Sequence, residues 1–590
     1  MTSSDIRARK ATEECRMHTV EIVLLVLMLG AVTGIAARYV RAIPLPLIQI
    51  GIGALIAWPQ KGLHIAFDPE MFLLLFIPPL LFADGWRIPK REFFGMARPI
   101  LLMAFGLVFI TVLGLGYLIH WMIPTMPLTV AFALAAVVSP TDAVAVSAIT
   151  RNLGMPSKTM TLLEGESLLN DASGLVALKF AVAATLTGLF SWEEVTKEFF
   201  WIALGGVALG AAMGWGFSHA RDIVTRRVGD VAATQMVVLL VLLPFAAYIL
   251  GEKIGVSGIL AAVAAGITTN FADLGRGNFI SERMQTDGIW SMLEASFNGA
   301  IFLLLGLQLP SIIGTTLANS GHDWWKLVLY VVAITAALLA VRWTWLTMGV
   351  VRALRQAHRD GEKADKPSYW LNLATTMAGI RGAVTLAGAL SIPVLLPSGE
   401  AFPARNMLIF LATGVILLTL ILGAIALPLI LRMVPKQANS QNQREERAAR
   451  LVACKAAIAS LTLTEEDIQA HSEDWVAQYQ EVVGRITQEY RSRIELLEED
   501  QSQATPADGL RESVEAVQER RERYIHEMEL RLQCLKVERD TLYAERHAHR
   551  INDDVLRGSV SELDLAEVSL TKRLNVSRRA AAASRAAGRS

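Results

Sequence analysis

Between residues 20 and 434 the chain is a succession of apolar runs. Many of them are long enough to cross the hydrocarbon core of a bilayer, which is about 30 Å thick. Because lipid offers the backbone no hydrogen-bond partners, runs of this kind must fold as helices. The sequence therefore predicts an all-α polytopic membrane protein. We predict thirteen spans, at residues 20–37, 44–58, 70–86, 98–122, 127–150, 160–187, 198–220, 232–250, 254–270, 290–314, 324–348, 368–396 and 405–433.

Charged residues are scarce in this region and frequent after Pro435. They make up 19% of the chain, whereas soluble domains average about 25%. The net charge is zero, so no basic field suggests a nucleic-acid partner. The first apolar run is interpreted as a retained membrane helix, because no cleavage site precedes a soluble domain. The cysteines are too far apart for a metal site or a disulfide framework, at Cys15, Cys454 and Cys534.

The distribution of Lys and Arg predicts the orientation of the spans. Counted together with the first residues of the span that follows, loops after odd-numbered spans carry eighteen of these residues, and loops after even-numbered spans carry five. Basic loops stay in the cytoplasm, so the odd loops are predicted to be cytoplasmic. Thirteen spans then place the N-terminus outside and the C-terminus inside a bacterial inner (plasma) membrane. The basic residues in the N-terminal tail (1–19) argue for the opposite side, but they are outnumbered.

The composition changes after the membrane region (20–435). Residues 436–550 are rich in Glu, Arg, Gln and Ala, with apolar residues at helical spacing. Charged residues interrupt the heptad pattern, which favours a small cytoplasmic helical domain over a long coiled coil. The final segment, 551–590, ends in Arg, Ala and Ser, and we predict a disordered basic tail there.

The first polar cluster inside a predicted span is Ser139-Pro140-Thr141-Asp142. Proline removes a backbone donor and disrupts the preceding helical turn. An unwound segment here would free carbonyl oxygens beside Thr141 and Asp142, and broken helices of this kind form cation sites near the membrane midplane. The alternative is a simple proline kink, with Asp142 facing a polar loop.

The second cluster, in the sixth span, runs from Glu164 to Asp171. Glu166 and Asn170 are four residues apart, as are Ser167 and Asp171, so each pair shares a helix face. Burial disfavours the charged form of a carboxyl group, so an aspartate at this depth is expected to hold either a proton or a cation. The alternative, acids in a first helical turn near the dipole, suits Glu164 and Glu166 better than Asp171.

The third cluster is Gly379-Ile380-Arg381-Gly382-Ala383 in the twelfth span. A buried arginine needs a carboxylate, and we predict that Arg381 pairs with Glu166. Alternatively, Arg381 extends to the cytoplasmic surface. Weaker candidates for either a structural bridge or an accessory role in the ion path are Asp84, Glu294, Asn298, Lys179 and Arg342.

Three motifs of the sequence, in this order and on these spans, resemble those of one family. They are Ser139-Pro140-Thr141-Asp142, Glu166-Ser167-Leu168-Leu169-Asn170-Asp171 and Gly379-Ile380-Arg381-Gly382. They look like bacterial members of the sodium/proton exchanger family, the monovalent cation:proton antiporter family 1. The resemblance covers about residues 20–435. It implies a thirteen-span fold of two inverted repeats, with a dimerisation domain and a core domain. It also implies homodimers, elevator-like motion of the core, and broken fifth and twelfth spans that cross.

The resemblance also implies roles for individual residues. Asp171 would bind the cation or the proton, and the Na⁺ site would include oxygens of Thr141, Asp142, Ser167 and Asn170. Glu166 and Arg381 would form a stabilising bridge. Asn170 before Asp171 is typical of electroneutral members. The chain departs from the family in the third span, where Ala83 stands at the position of a common acid and Asp84 follows it.

These observations predict a secondary transporter that exchanges Na⁺, Li⁺ or K⁺ for H⁺, with a role in sodium and pH homeostasis. K⁺/H⁺ exchange and a cation-coupled solute symporter stay as alternatives. A channel filter and a nucleotide-binding loop are both absent from the sequence. His526-Glu527 lacks the second histidine of a zinc protease motif, so no enzyme and no cofactor are predicted.

Overall fold

The structure is a computed structural model, and its description covers the greater part of the chain. The described residues are 24–36, 43–58, 69–88, 90–150, 153, 155–187, 192–228, 233–273, 280–319, 324–359, 368–396, 398–434, short stretches between 451 and 495, 511–547 and 553–587. The chain divides into two compact units, Met1–Lys436 and Gln437–Ser590. The predicted N-terminal tail (1–19), Cys15 and most of residues 436–510 lie outside the described residues.

The described residues of the first unit are helical, apart from loops and one isolated bridge between Leu395 and Ala401. This confirms the predicted all-α polytopic class. Eight described helices are long and apolar enough to cross a membrane, and three shorter apolar helices accompany them. The count of thirteen spans and the inverted repeats stay predictions. The helices are α1 Leu24–Ala36, α2 Leu45–Ala57, α3 Pro69–Arg87, α4 Lys90–Gly95, α5 Ala97–Leu101, a π-helical turn Leu102–Leu107, α6 Val108–Met122, α7 Leu128–Val138, α8 Ala143–Thr150, α9 Ser157–Thr187, α10 Trp192–Val228, α11 Ala233–Ile254, α12 Gly258–Asp273, α13 Ile280–Asn319, α14 Trp324–Arg359, α15 Tyr369–Met377, α16 Ala383–Leu390 and α17 Arg405–Leu431.

Two of the predicted spans are interrupted near their middle. Residues 139–142 separate α7 from α8, and residues 378–382 separate α15 from α16. Pro140 has no backbone N–H to continue the first helix. The two breaks touch, because the backbone N–H of Asp142 donates a hydrogen bond to the carbonyl of Ile380 at 2.7 Å. Both segments therefore offer non-helical backbone to the same place in the interior.

The helices of this unit pack mainly within two groups. One group contains α1–α3 and α10–α13, and the other contains α5–α9 and α14–α17. Small residues allow close packing inside the first group: a Cβ at Gly210 of α10 would lie 2.1 Å from the carbonyl oxygen of Ala261 in α12. Fewer contacts join the groups, mainly through α3, α12 and α13 on one side and α9, α16 and α17 on the other.

In the second unit, the two long described helices α18 (Arg511–His547) and α19 (Asp553–Ala587) pack against each other. They run antiparallel, since Arg539 pairs with Asp564 and Glu567 while Glu529 pairs with Arg578. The prediction of a disordered basic tail is wrong for residues 576–587, which continue α19. Alanine and arginine are strong helix formers, so the segment extends a helix that already has a partner.

Candidate functional site

A cavity of about 50 Å³ lies where the two breaks meet, between the two helix groups. A buried water needs about 10–15 Å³ of such space, so the cavity has room for a few waters or one partly hydrated ion. Its walls come from α3 and α13 in one group, and from the two breaks, α9 and α16 in the other. The polar residues that line it are Asp84, Thr141, Asp142, Ser167, Asp171, Asn298 and Thr385.

Asp142 is held in place by the ends of two helices. Its Oδ1 accepts hydrogen bonds from the backbone N–H groups of Val144 at 2.8 Å and Ala145 at 3.1 Å, so it caps the start of α8. Its Oδ2 lies against Gly382, immediately before α16, where a Cβ would be only 1.9 Å away. Helix N-termini carry partial positive charge, so both stabilise this carboxylate as an anion.

The close approach of Asp142 and Gly382 leads to a prediction. Gly382→Ala would force the carboxylate away from its position, and we expect the KM for the transported cation to rise at least tenfold. Cation-dependent proton flux in reconstituted vesicles measures this. Gly388→Ala, in α16 itself, is the control, because its nearest neighbour is the flexible end of the Leu175 side chain at 3.2 Å. Equal KM values for the two variants would contradict the steric argument.

Asp171 also lines the cavity, from the middle of α9, but its surroundings differ from those of Asp142. Its side chain is only 7% exposed, and no group in the described part of the chain donates a hydrogen bond to its carboxylate. Ser167, one turn earlier, donates to the carbonyl of Thr141 at 2.8 Å and accepts from the N–H of Ala143 at 3.2 Å. Ser167 therefore fixes the break, whereas the Asp171 carboxylate has no hydrogen-bond donor among the described residues.

The remaining two predicted ligands are tied to each other. Asn170 Nδ2 donates to the hydroxyl of Thr141 at 2.9 Å, and this hydroxyl in turn donates to Glu166 Oε1 at 3.4 Å. Thr141 lines the cavity, but Asn170 is not among the lining residues. The geometry places Asn170 behind the site, where it supports Thr141.

The predicted pair of Glu166 with Arg381 is wrong. Glu166 pairs instead with Arg342 of α14 through two parallel hydrogen bonds, and the Nη2–Oε2 bond measures 2.8 Å. Both side chains are fully buried, at 1% and 2% exposure. Arg342 Nε also donates to the carbonyl of Thr375 at 3.2 Å. The second polar cluster of the sequence therefore supplied the carboxylate, and an isolated arginine in an apolar run, Arg342, supplied its partner.

Arg381 has a different set of partners. Its Nε donates to the carbonyl of Val138 at 2.9 Å, and its Nη1 donates to the carbonyl of Gly379. These carbonyls lie at the end of α7 and just beyond the end of α15, where helix dipoles place partial negative charge. The guanidinium is buried, so the alternative in which it extends to the surface is wrong as well.

The weaker candidates separate into cavity residues and bridges. Asp84 and Asn298 line the cavity. The chain has Ala83 at the position where the family commonly has an acid, but the acid at the next position, Asp84, still lies in the cavity wall. Glu294 is not among the lining residues, and it pairs with Arg87, which also donates to Ser291 at 3.1 Å. Lys179 of α9 pairs with Glu252 of α11 at 3.2 Å, so it joins the two helix groups.

Sequence reasoning missed Thr385, which lines the cavity from the first turn of α16. The only signal was its position three residues after Gly382 in the third polar motif. Threonines are common in the apolar runs, so this one did not stand out.

Comparison with known proteins decides the family. Residues 23–433 match the family described as "Sodium/hydrogen exchanger, transmembrane". The chain belongs to this family. Its members are secondary transporters, so the protein is an integral membrane transporter of a monovalent cation and protons.

The curated relatives agree with this assignment. The "Uncharacterized Na(+)/H(+) exchanger YjcE" of Escherichia coli is 43% identical over 93% of this chain and 98% of its own length. The "Sodium, potassium, lithium and rubidium/H(+) antiporter" of Bacillus pumilus is 45% identical over 70% of this chain, and the match spans 62% of that relative.

Among solved structures, the sodium proton antiporter MjNhaP1 of Methanocaldococcus jannaschii has a similar fold. It is 18% identical, with a TM-score of 0.54 over 70% of this chain and 98% of MjNhaP1. At this identity the likeness concerns the fold alone.

Proposed function

We propose that the protein exchanges Na⁺ for H⁺ across the membrane by alternating access, with both ions competing for the Asp171 carboxylate. The observation that carries the proposal is the contrast between Asp142 and Asp171, two of the three aspartates that line the cavity. Asp142 is anchored by backbone donors, and Asp171 has no hydrogen-bond donor in the described part of the chain. A buried carboxylate without a protein partner is unstable as a bare anion, so it takes up a proton or a cation.

The competition makes the exchange electroneutral. One carboxylate holds one Na⁺ or one H⁺, and Asn170, which precedes it, cannot release a second proton. Asp142 is held by the backbone donors at the start of α8, so the proposal assigns the exchanged proton to Asp171 alone. No net charge therefore moves when one ion replaces the other.

The size and chemistry of the cavity support a small monovalent cargo. Organic ligands occupy pockets of about 300–1,000 Å³, far larger than this cavity of about 50 Å³, which disfavours a solute symporter. In the described part of the chain, no three His, Cys, Asp or Glu side chains converge as they do in divalent metal sites. The name of the Bacillus pumilus relative makes K⁺, Li⁺ and Rb⁺ the other cations to compare with Na⁺.

The placement of the cavity between two helix groups supports alternating access, because relative motion of the groups would expose it to one side at a time. We propose that the protein works as a homodimer in the bacterial plasma membrane, with the C-terminus in the cytoplasm and the N-terminus outside. Its role would be sodium and pH homeostasis. The second unit, Gln437–Ser590, would regulate transport or stabilise the dimer.

Exchange in reconstituted vesicles tests the proposal. A step of Na⁺, Li⁺, K⁺ or Rb⁺ outside vesicles that contain a pH dye should move protons the opposite way. Since the two ions compete, lowering the pH should raise the apparent KM for Na⁺, by up to about tenfold per pH unit when the site is mostly protonated. Empty vesicles are the control.

The same vesicles test electroneutrality. An imposed membrane potential should leave the rate unchanged, because the site carries the same charge with either ion. A rate that follows the potential would contradict one-for-one exchange. The absence of cation-dependent proton movement with all four cations would contradict the proposed function itself.

A further inference from the structure

Thr385 differs from most buried threonines of this protein in what its hydroxyl contacts. Buried threonine hydroxyls in helices usually donate to a carbonyl three or four residues earlier. Thr335 does so with Val331 at 2.8 Å, and Thr376 with Asn372 at 2.9 Å. Thr385 is 2% exposed, yet no group in the described part of the chain hydrogen-bonds its hydroxyl.

The break before α16 limits the backbone acceptors that the Thr385 hydroxyl can reach. The residues three and four positions earlier are Gly382 and Arg381, which belong to the non-helical segment 378–382. Arg381 lies outside the helix, so its carbonyl does not stand one helical turn before Thr385, and no hydrogen bond joins the Thr385 hydroxyl to the carbonyl of Gly382 in the described part of the chain. The side chain lines the cavity instead, together with Asp142, Ser167 and Asp171.

A second buried threonine provides a comparison. The hydroxyl of Thr413 in α17 is also without a partner in the described part of the chain. Thr413 is not among the residues that line the cavity. Both threonines are thus buried, with no partner for the hydroxyl among the described residues, and they differ in access to the space between Asp142 and Asp171.

We propose that the Thr385 hydroxyl is a further ligand of the transported cation, supplied by the second broken helix. This inference rests on the proposed exchange at Asp171. Hard cations bind to oxygen atoms, and a hydroxyl that faces a carboxylate-lined cavity supplies one. The other ligands come from the first break and α9, so a bound cation would bridge the two broken helices. A proton on Asp171 is covalently bound and needs no such ligand.

This difference between the two ions defines the expected result. Thr385→Val removes the hydroxyl and keeps the shape of the side chain. We expect the KM for Na⁺ to rise about fivefold, the usual effect of losing one polar contact, with kcat within twofold of wild type. In a plot of log KM against pH, the curve should move upward equally at every pH and keep its bend, because proton binding is unchanged.

Thr413→Val is the matched control, and Thr385→Ser is the rescue, since serine restores the hydroxyl. Both should keep the wild-type KM. Na⁺-dependent thermal stabilisation in detergent gives a second readout, and Thr385→Val should need about five times more Na⁺ for the same effect. Should Thr385→Val fail to fold, the smaller Thr385→Ala takes its place in both measurements.

Three results would overturn the inference: a wild-type KM in Thr385→Val, an equal rise in Thr413→Val, or a shifted bend in the pH curve. Each leaves the proposed function standing, provided that wild type exchanges and Asp171→Asn does not. Absence of exchange in wild type would remove the proposed function first.

Discussion

Asp171→Asn is expected to abolish cation-dependent proton flux without lowering the stability of the protein. Asparagine cannot take up or release a proton in this pH range, and it has no charge to balance a cation. No hydrogen bond to the carboxylate is lost, because none is made to it in the described part of the chain. Removing a buried charge that lacks a partner also lowers the cost of burial. Flux in vesicles and thermal unfolding in detergent measure the two effects.

Sodium-dependent stabilisation separates loss of binding from loss of motion. A ligand at one hundred times its dissociation constant stabilises the folded state by about 2.7 kcal/mol, and this increment should vanish in Asp171→Asn. Asp222→Asn is the control, because Asp222 pairs with Arg226 at 3.4 Å near the end of α10, away from the cavity. If Asp171→Asn kept wild-type flux, the exchange site would lie elsewhere; if it unfolded, the aspartate would be structural.

The sequence predicted the membrane region well because the bilayer imposes its rule on each segment separately. Every backbone group must find a partner inside its own helix, so hydropathy alone locates the helices. It locates only their apolar parts: α13 runs from Ile280 to Asn319 and α14 from Trp324 to Arg359, both beyond the predicted spans. Hydrogen bonding continues along a helix after it leaves the apolar layer, so the polar ends were missed.

The sequence was less informative where the answer depended on which helices meet. The motifs paired Glu166 with Arg381, and Arg342 was only a weaker candidate for a structural bridge or a role in the ion path. The structure pairs Glu166 with Arg342 instead, because Arg381 donates to the carbonyl of Val138 at the end of α7 and to that of Gly379 just beyond α15. Thr385 was missed for a related reason: its hydroxyl is notable only because the cavity is beside it.

Arg342→Met is expected to destabilise the protein by about 3–5 kcal/mol, the usual cost of removing one member of a buried ion pair. Glu166 is 1% exposed in the wild-type structure. Without Arg342, its remaining hydrogen-bond donor in the described part of the chain is the Thr141 hydroxyl. The carboxylate would then have to take up a proton or draw water into the core. Because Thr141 joins Glu166 to the break between α7 and α8, we also expect weaker cation binding. Reversible unfolding in detergent and the KM for Na⁺ measure these effects.

A double-mutant cycle tests whether Arg342 is the true partner of Glu166. Combining Arg342→Met with Glu166→Gln should cost much less than the sum of the single changes, since the second change removes the charge that the first left unpaired. The same cycle with Arg381→Met should give a smaller coupling, because Arg381 donates to the carbonyls of Val138 and Gly379 and to neither oxygen of Glu166. A larger coupling with Arg381 than with Arg342 would restore the pairing that the motifs suggested. Equal stability of all the single variants would mean that neither arginine neutralises Glu166 in the membrane.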